Sequence, residues 1–520
     1  MIAADIFLKG RECNPDGVLF TNHDGTRITY AAAHEQIERI AAALHGQRGD
    51  GLAHWAVYSP NEAVAFLCIL SIFRAGGCWL PVNTRNSAED NAYILKRNDC
   101  TLLFFHSSLE ESVRILAERV PGIRTFICID APSDLGPSLE EFMASAGKEA
   151  VAPEPPCDPG AVTAMLATGG TTGLPKATAW TNSVWECLVA SFLIHMPVGQ
   201  KRPVYLVAAP MTHAAGVIAL PLIARGAEVI VLEGVDPPAI MSAIETHGVT
   251  HLFLPPTAIY MLLDHPRLRE FDYSSLEHFI YSASPMSATR LIEAMEVFGP
   301  VMTQGYGQAE VPFLCTFMSP RDHVEALQAN ALKRFESCGR PAQLMRLRIV
   351  GDDGREVPAG ELGEIVVQGS LVHKGYYKDP EMTRETLRDG WHHTGDIGRI
   401  DDDGFVYIVD RKKDMIITGG FNVFSSEVEQ VLMACPHIAN CAVIGIPDEK
   451  WGEAVTAFVQ LKQGARTDEG EIIAFCRERL GGVKTPKSVI FRDQLPLSPV
   501  GKVLKRALRD PFWKGRKRRV

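Results

Sequence analysis

The sequence predicts an α/β protein: a large N-terminal domain of layered α/β sheets over residues 1–411, with a β-rich lobe at about 340–411, and a small α+β C-terminal domain over 412–520. Three observations lead there. A chain of 520 residues is too long for one ordinary domain. Up to about residue 300, short β-rich runs alternate with longer amphipathic stretches, the signature of right-handed β-α-β units. The rhythm then changes twice, near 347 and again after 410.

In chain order, residues 53–58 read as a strand followed by a helical stretch over 61–75. Further strands are predicted at 102–105, 125–129, 162–167, 204–208, 228–232, 251–254 and 278–281, each a compact run rich in Val, Ile, Leu and Phe. Between 347 and 409 the helical pattern fades, and strands at 347–350, 364–368 and 405–409 are separated by Gly and Asp turns. From 410 onward the order is helix 426–434, strand 441–446, strand 454–461, helix 469–480 and strand 488–491, enough for a domain of its own.

Composition excludes several classes of function. With 46% hydrophobic and 22% charged residues the chain builds a sizeable core, and disorder is not a serious reading. A formal net charge of −10 argues against a nucleic-acid binder, which needs a cationic footprint to displace counterions. The balance is uneven: from residue 412 there are 19 Lys and Arg against 12 Asp and Glu, so the last fifth is basic by +7 and the rest acidic by −17. A basic C-terminal part beside an acidic body suits a polyanionic small molecule, while ordinary solvated charge is the plainer explanation. The 12 cysteines stand singly, with no metal-ligand spacing, which fits a reduced, cytoplasmic compartment. Asp5, Lys9, Arg11 and Glu12 interrupt the N-terminus, so no signal peptide is read. The longest apolar runs, 63–73 and 214–224, fall short of the roughly 20 residues of a membrane helix, so no transmembrane segment is expected.

The chemistry is concentrated in a few segments. Residues 168–176 read Thr-Gly-Gly-Thr-Thr-Gly-Leu-Pro-Lys and follow a predicted buried strand. Glycines let such a backbone turn its N–H groups inward as a nest for anionic oxygens, and the Thr hydroxyls and Lys176 add donors and charge. Phosphate is the expected guest. A Walker A loop is excluded, because Lys176 follows Pro175 and precedes Ala177.

At this point the sequence resembles the adenylate-forming superfamily of acyl-CoA synthetases, peptide-synthetase adenylation domains and beetle luciferases. Its phosphate-loop pattern, Thr-Ser-Gly-Thr-Thr-Gly-x-Pro-Lys, matches residues 168–176 except for Gly169 in place of Ser. Tyr306-Gly307-Gln308-Ala309-Glu310 is similar to the Tyr-Gly-x-Thr-Glu motif, and Thr394-Gly395-Asp396 matches Thr-Gly-Asp. Asp410-Arg411-Lys412-Lys413-Asp414 resembles the interdomain hinge, and Pro496 to Lys502 the C-terminal catalytic-lysine motif. Five motifs in the right order span nearly the whole chain.

The resemblance implies ATP, Mg2+ and coenzyme A as the cofactors of a carboxylic acid:CoA ligase. An AMP-binding N-terminal domain (1–411) and a mobile C-terminal domain (412–520) come with it. Thr168, Gly170, Thr171, Thr172, Gly173 and Lys176 are expected to hold the β- and γ-phosphates, and Glu310 the Mg2+, a hard cation that prefers oxygen. Tyr306 and Gly307 would lie at the adenine, read by the backbone of Ser282, Ala283 and Ser284, and Asp396 would accept from the ribose hydroxyls with Arg411 assisting. Lys502 is the expected catalytic residue, bridging the attacking carboxylate and the α-phosphate as two anions approach. Lys413 falls at the pivot, and Gly419 and Gly420 in the loop lining a pantetheine channel, with Lys484 and Lys487 as weaker candidates for the CoA phosphates. Ala309 replaces the usual Thr, whose hydroxyl contacts the α-phosphate, so either Thr303 or Gln308 substitutes or adenylation is slow.

Residues 210–216 resemble the family's Pro-x-x-His-x-x-Gly element, with His213 as the gate of the acyl pocket. Amino-acid-activating relatives carry an Asp next, to pair the substrate ammonium; here Ala214 stands there, which disfavours amino acids. The expected wall of Ala214, Ala215, Gly216, Val217, Ala283, Gly305, Val311, Pro312 and Phe313 is small or apolar and suits a fatty, aromatic or alicyclic acid. The alternatives are an adenylating enzyme that acylates a carrier protein or oxygenates its adenylate as luciferases do, and a non-catalytic nucleotide-binding relative. The partners expected are the acid, ATP and CoA, with peripheral membrane contact of the basic tail left open and the oligomeric state unread.

Overall fold

Parallel strands with helical crossovers dominate the first of two units in the computed structural model, which describes residues 1–48, 53–147, 150–168, 175–199, 201–497 and 503–514. That unit comprises 1–347, 367–392 and 404–406. Among its described residues it holds a nine-stranded and a six-stranded sheet. In the larger sheet, Val18–Thr21, Glu228–Val231, Val204–Val207, His251–Leu254, His278–Tyr281 and Met302–Gln308 lie side by side and parallel. The sheet then reverses into the antiparallel strands Val311–Met318 and Arg340–Pro341. Parallel neighbours send their C-terminal loops out at the same edge, where α/β proteins bind their ligands.

In the smaller sheet, Thr125–Cys128, Leu102–Phe105, His54–Tyr58, Cys78–Pro81 and Val162–Thr168 are parallel, and Lys176–Thr181 returns antiparallel to Val162–Thr168. The two apolar runs of the sequence are the helices Ala63–Arg74 and Ala214–Ile223, and nearly every side chain of both is buried. They are core elements because they are apolar on all sides.

The second unit takes 348–366, 393–403 and 407–520. Strands drawn from 348–366, 393–403 and 407–411 share one sheet. A further sheet follows, in which Ile438–Asp448 and Gly452–Leu461 form a long antiparallel pair and Ser488–Phe491 runs parallel to the second of them. The helices Ser425–Met433 and Glu469–Lys484 close a core of Val428, Leu432, Val443, Val455, Val459 and Ile472 against it.

The predicted strands appear where the apolar runs placed them, within a residue or three at each end. Several elements lie outside the sequence reading. The antiparallel pair Met302–Gln308 and Val311–Met318 carries a motif where no strand is predicted, the ten-residue strand Trp391–Ile400 is hidden by Gly and Asp, and a short helix, Pro380–Thr386, starts on Asp379 inside the β-rich lobe.

Candidate active site

Three loops emerge at the carboxyl edge of the parallel strands of the larger sheet. Residues 208–213 follow Val204–Val207, 282–285 follow His278–Tyr281, and the segment from Tyr306 ends Met302–Gln308. In the second loop the Ser282 hydroxyl donates to the Gly305 carbonyl at 2.6 Å, tying it to the neighbouring strand. Ala283 is exposed and holds φ at 75°, a left-handed conformation that costs a residue with a Cβ about 1 kcal/mol or more. Tyr306 is buried on its strand.

Gln308 pairs with Val311, leaving Ala309 and Glu310 as a two-residue turn. The turn is held from outside: buried Trp180 donates from Nε1 to the Ala309 carbonyl at 2.6 Å, and the His373 amide donates to the Glu310 carbonyl at 2.8 Å. The Glu310 carboxylate accepts from the Tyr376 hydroxyl at 2.7 Å, and the Lys176 ammonium lies 5.8 Å from the centre of the Tyr376 ring. Burial, and then the negative charge of Glu310, push the Tyr376 phenol well above its ordinary value, so it stays a donor. Tyr376 reaches this place because its segment pairs with the strand that begins at Lys176: Thr178 bridges Tyr376, and the Ala179 amide donates to the Gly375 carbonyl at 2.9 Å. No sequence motif pointed to Tyr376; only the strand pairing identifies it.

Among the described residues no three His, Cys, Asp or Glu gather as a metal cage. A lone carboxylate such as Glu310 fits Mg2+, which keeps its waters and takes further ligands from substrate phosphates. Of the two suggested substitutes for a Thr at 309, Thr303 is ruled out: it is fully buried and its hydroxyl donates to the Val301 carbonyl at 3.0 Å.

The expected acyl-pocket residues come from the helix Ala214–Ile223, the strand Val311–Met318, Gly305 on Met302–Gln308 and Ala283 in the 282–285 loop. Val311, Pro312 and Phe313 are buried at the start of Val311–Met318. Phe313 has φ of 59°, and its backbone crowds Gly307 so closely that a Cβ there would overlap the Phe313 amide nitrogen and the Val311 carbonyl; Gly305 abuts the Phe313 ring. His213 caps the helix Ala214–Ile223, in which Ala214 is exposed and Ala215, Gly216 and Val217 are buried. That helix is fixed to its sheet by the Tyr205 hydroxyl, which donates to the Ala215 carbonyl at 2.9 Å. Burial lowers the pKa of His213, which favours its neutral ring.

In the second unit, Asp396 is 2% exposed and pairs with Arg411, whose Nε lies 2.8 Å from Oδ1. Its place in the strand Trp391–Ile400 is anchored by Thr394, whose hydroxyl donates to the Ile365 carbonyl at 2.7 Å and accepts from the Asp396 amide at 3.1 Å. At the hinge-like segment, burial lowers Lys413 to about 8, and Arg509 donates to the Lys413 carbonyl at 3.1 Å. Gly419 and Gly420 both have positive φ, 58° and 83°. At Gly419 a Cβ would meet the Trp451 ring at 2.8 Å; at Gly420 the space is open and the conformation alone favours glycine. Lys484 is committed to Glu427 at 2.6 Å, and Lys487 lies 5.7 Å from the centre of the Trp451 ring. Lys505, half-buried and unanticipated, pairs with Glu429 at 2.8 Å and donates to the Ser425 hydroxyl at 2.7 Å. Gly170, Thr171, Thr172, Gly173 and Lys502 lie outside the described residues, and Thr168 is described only as the end of its strand.

Comparison with known proteins places these residues in a family. The AMP-binding enzyme family matches residues 9–377, and the C-terminal domain of AMP-binding enzymes matches 427–502. A medium/long-chain-fatty-acid–CoA ligase of Mycobacterium tuberculosis is 40% identical over 508 residues, covering 95% of this chain and 87% of that protein. A feruloyl-CoA synthase of an Amycolatopsis species is 35% identical over 501 residues, 94% of this chain and 95% of its own. Among solved structures, the amide bond synthetase McbA from Marinactinospora thermotolerans superposes with a TM-score of 0.86 at 29% identity, covering 98% of this chain and 100% of that one. By this agreement of sequence and fold, the chain belongs to the AMP-binding enzymes, the adenylate-forming superfamily, in its acyl-CoA synthetase branch.

Proposed function

We propose that this protein is an ATP-dependent carboxylic acid:CoA ligase acting on a fatty, aromatic or alicyclic acid. The observation that carries the reading is the grouping of the 208–213, 282–285 and Tyr306 loops at one carboxyl edge of a parallel sheet, in a chain related over nearly its full length to acyl-CoA ligases. In the first step an oxygen of the substrate carboxylate bonds to the α-phosphorus of ATP, and the bond to the bridging oxygen breaks to release pyrophosphate. In the second, the CoA sulfur attacks the acyl carbon, and AMP leaves with the bonding electrons.

Each expected residue has a role in those steps. Lys176, with Thr168, Gly170, Thr171, Thr172 and Gly173, holds the departing phosphates; Tyr306, Gly307 and the backbone of Ser282, Ala283 and Ser284 hold adenine; Asp396 and Arg411 hold the ribose. Glu310, aimed by Tyr376, supplies a carboxylate to Mg2+, which neutralises phosphate charge when bound. Lys502 stabilises the charge that builds at the α-phosphate, a contact whose removal typically costs about a hundred- to a thousand-fold in rate. Lys413 is the pivot of a C-terminal domain over 412–520, and Gly419 and Gly420 line the thioester channel. His213 gates a pocket walled by Ala214 to Val217, Ala283, Gly305 and Val311 to Phe313, whose apolar character admits a lipophilic acid and rejects an ammonium. Among the described residues no helix is long and apolar enough to cross a membrane, and unpaired cysteines fit action in the cytoplasm.

The test is product analysis of purified protein with MgATP and a panel of lipophilic acids, with and without CoA. AMP and pyrophosphate in equal amounts, and acyl-CoA only where CoA is present, are expected; no acid yielding AMP would defeat the reading. Lys502→Ala should abolish adenylate formation and leave thioester formation from a supplied acyl-adenylate nearly intact.

A further inference from the structure

The strand segment that presents Asp396, within Trp391–Ile400, is held by a carboxylate that belongs to none of the motifs above. Glu364 is 8% exposed on the strand Gly363–Gln368. Its Oε1 accepts from the Gly395 amide at 3.2 Å. Its Oε2 lies 3.2 Å from the Lys412 ammonium and 3.3 Å from Nδ1 of His393. Lys412 adjoins Arg411, the partner of Asp396, so two consecutive residues of the hinge segment are tied to two consecutive residues of the strand, Arg411 directly to Asp396 and Lys412 through Glu364 to Gly395. Burial alone would raise the Glu364 carboxyl, but Lys412 and His393 outweigh it and hold it below the ordinary range, so it remains an ionised acceptor. An anion nearly removed from water is kept there only when paired, and the pairing fixes both oxygens.

We propose that Glu364 is a positioning residue of the nucleotide site: through Gly395 it sets the direction of Asp396, and through Lys412 it locks the ribose-reading segment of the strand Trp391–Ile400 to the hinge segment. This rests on the reading of Asp396 as the ribose acceptor and goes beyond it by naming what aims that acceptor. Glu364 touches no nucleotide in this scheme. Its loss therefore shows as lost discrimination for the ribose hydroxyls, which a general loss of stability does not mimic.

The experiment is equilibrium binding of AMP and of 2′,3′-dideoxy-AMP to the full chain. A charge-assisted pair of hydrogen bonds to the ribose predicts that the wild type favours AMP by roughly tenfold or more, and that Asp396→Ala brings the ratio close to one. Glu364→Met should cut the ratio at least threefold, while Glu364→Gln, which keeps an oxygen for the Gly395 amide, retains most of it. Lys412 is half exposed, so Lys412→Met gives a second arm with little risk to folding; it too should lower the ratio. A wild-type protein indifferent to the ribose hydroxyls overturns the reading of Asp396 itself. Collapse in Asp396→Ala with wild-type ratios in both Glu364→Met and Lys412→Met overturns the role of Glu364 alone.

Discussion

Glu310 shares its carboxylate with Tyr376, and that hydrogen bond leads to a prediction at the scale of one residue. Partners of a metal-ligating side chain fix its orientation, and losing one commonly costs about 10- to 100-fold in metal affinity. Tyr376→Phe should therefore raise the Mg2+ concentration for half-maximal pyrophosphate exchange by about tenfold, with the KM for the acid little changed; a magnesium titration checks this. Ala309 carries a second prediction. Thr303 has its hydroxyl engaged with Val301 and cannot replace the missing donor. Ala309→Thr should thus speed pyrophosphate exchange by roughly the worth of one hydrogen bond, about 1 kcal/mol or some fivefold. An unchanged rate would mean that another group, such as Gln308, already supplies the contact. Lys176, Glu310, Asp396 and Arg411 could be proposed from the sequence because each sits inside a short motif whose residue types suit phosphate, metal or ribose. Tyr376 and Glu364 could not, since strand pairing alone brings Tyr376 to Glu310 across 66 positions, and Glu364 acts through a backbone amide that leaves no mark on residue type.

The elements most legible in the sequence were those whose side chains all face core, such as His251–Leu254 and Leu102–Phe105, because continuous apolar runs bounded by turns can be seen without a partner. The antiparallel pair Met302–Gln308 and Val311–Met318 was missed for the opposite reason: the first strand runs Met-Thr-Gln-Gly-Tyr-Gly-Gln, and its place is dictated by the parallel strand on one side and the returning strand on the other. Tertiary context overrides propensity there. The pair closes tightly at Gly307, where an added Cβ would overlap backbone atoms of Phe313 and Val311 that cannot rotate away. Gly307→Ala should consequently destabilise the first unit by about 3 kcal/mol, the upper part of the usual range for overpacking, and disturb Tyr306 beside it. Urea unfolding would register the first effect, and weakened AMP binding in the protein that remains folded the second; a neutral substitution would show that the pair opens more readily than its register implies.

At the scale of the whole molecule, the first unit stores acid sensitivity in its histidines. Burial lowers His251 to about 3 and His278, His323 and His373 each to about 4, and all four belong to that unit. His251 and His278 lie on adjacent parallel strands with ring centres 5.2 Å apart, and the lowering at His251 is deepened by its neighbour. His323 is fully buried, its Nε2 2.9 Å from the Tyr281 hydroxyl and its Nδ1 2.7 Å from the Ser319 carbonyl. Between about pH 4 and the ordinary histidine value near 6.5, the unfolded chain binds protons at these sites and the folded chain does not. Stability must then rise with pH across that window, be fully present above about 6.5, and drain away as the pH falls toward 4. Each histidine contributes a slope of up to about 1.4 kcal/mol per pH unit, so the four together approach roughly 5 kcal/mol per unit near pH 5. Urea unfolding of this unit measured from pH 7.5 downward should be nearly level to about 6.5 and then weaken steeply, with uptake of at least about four protons on unfolding near pH 5. A level profile down to pH 4.5 would show that these rings already take up protons in the folded state, and that the cores around them admit water.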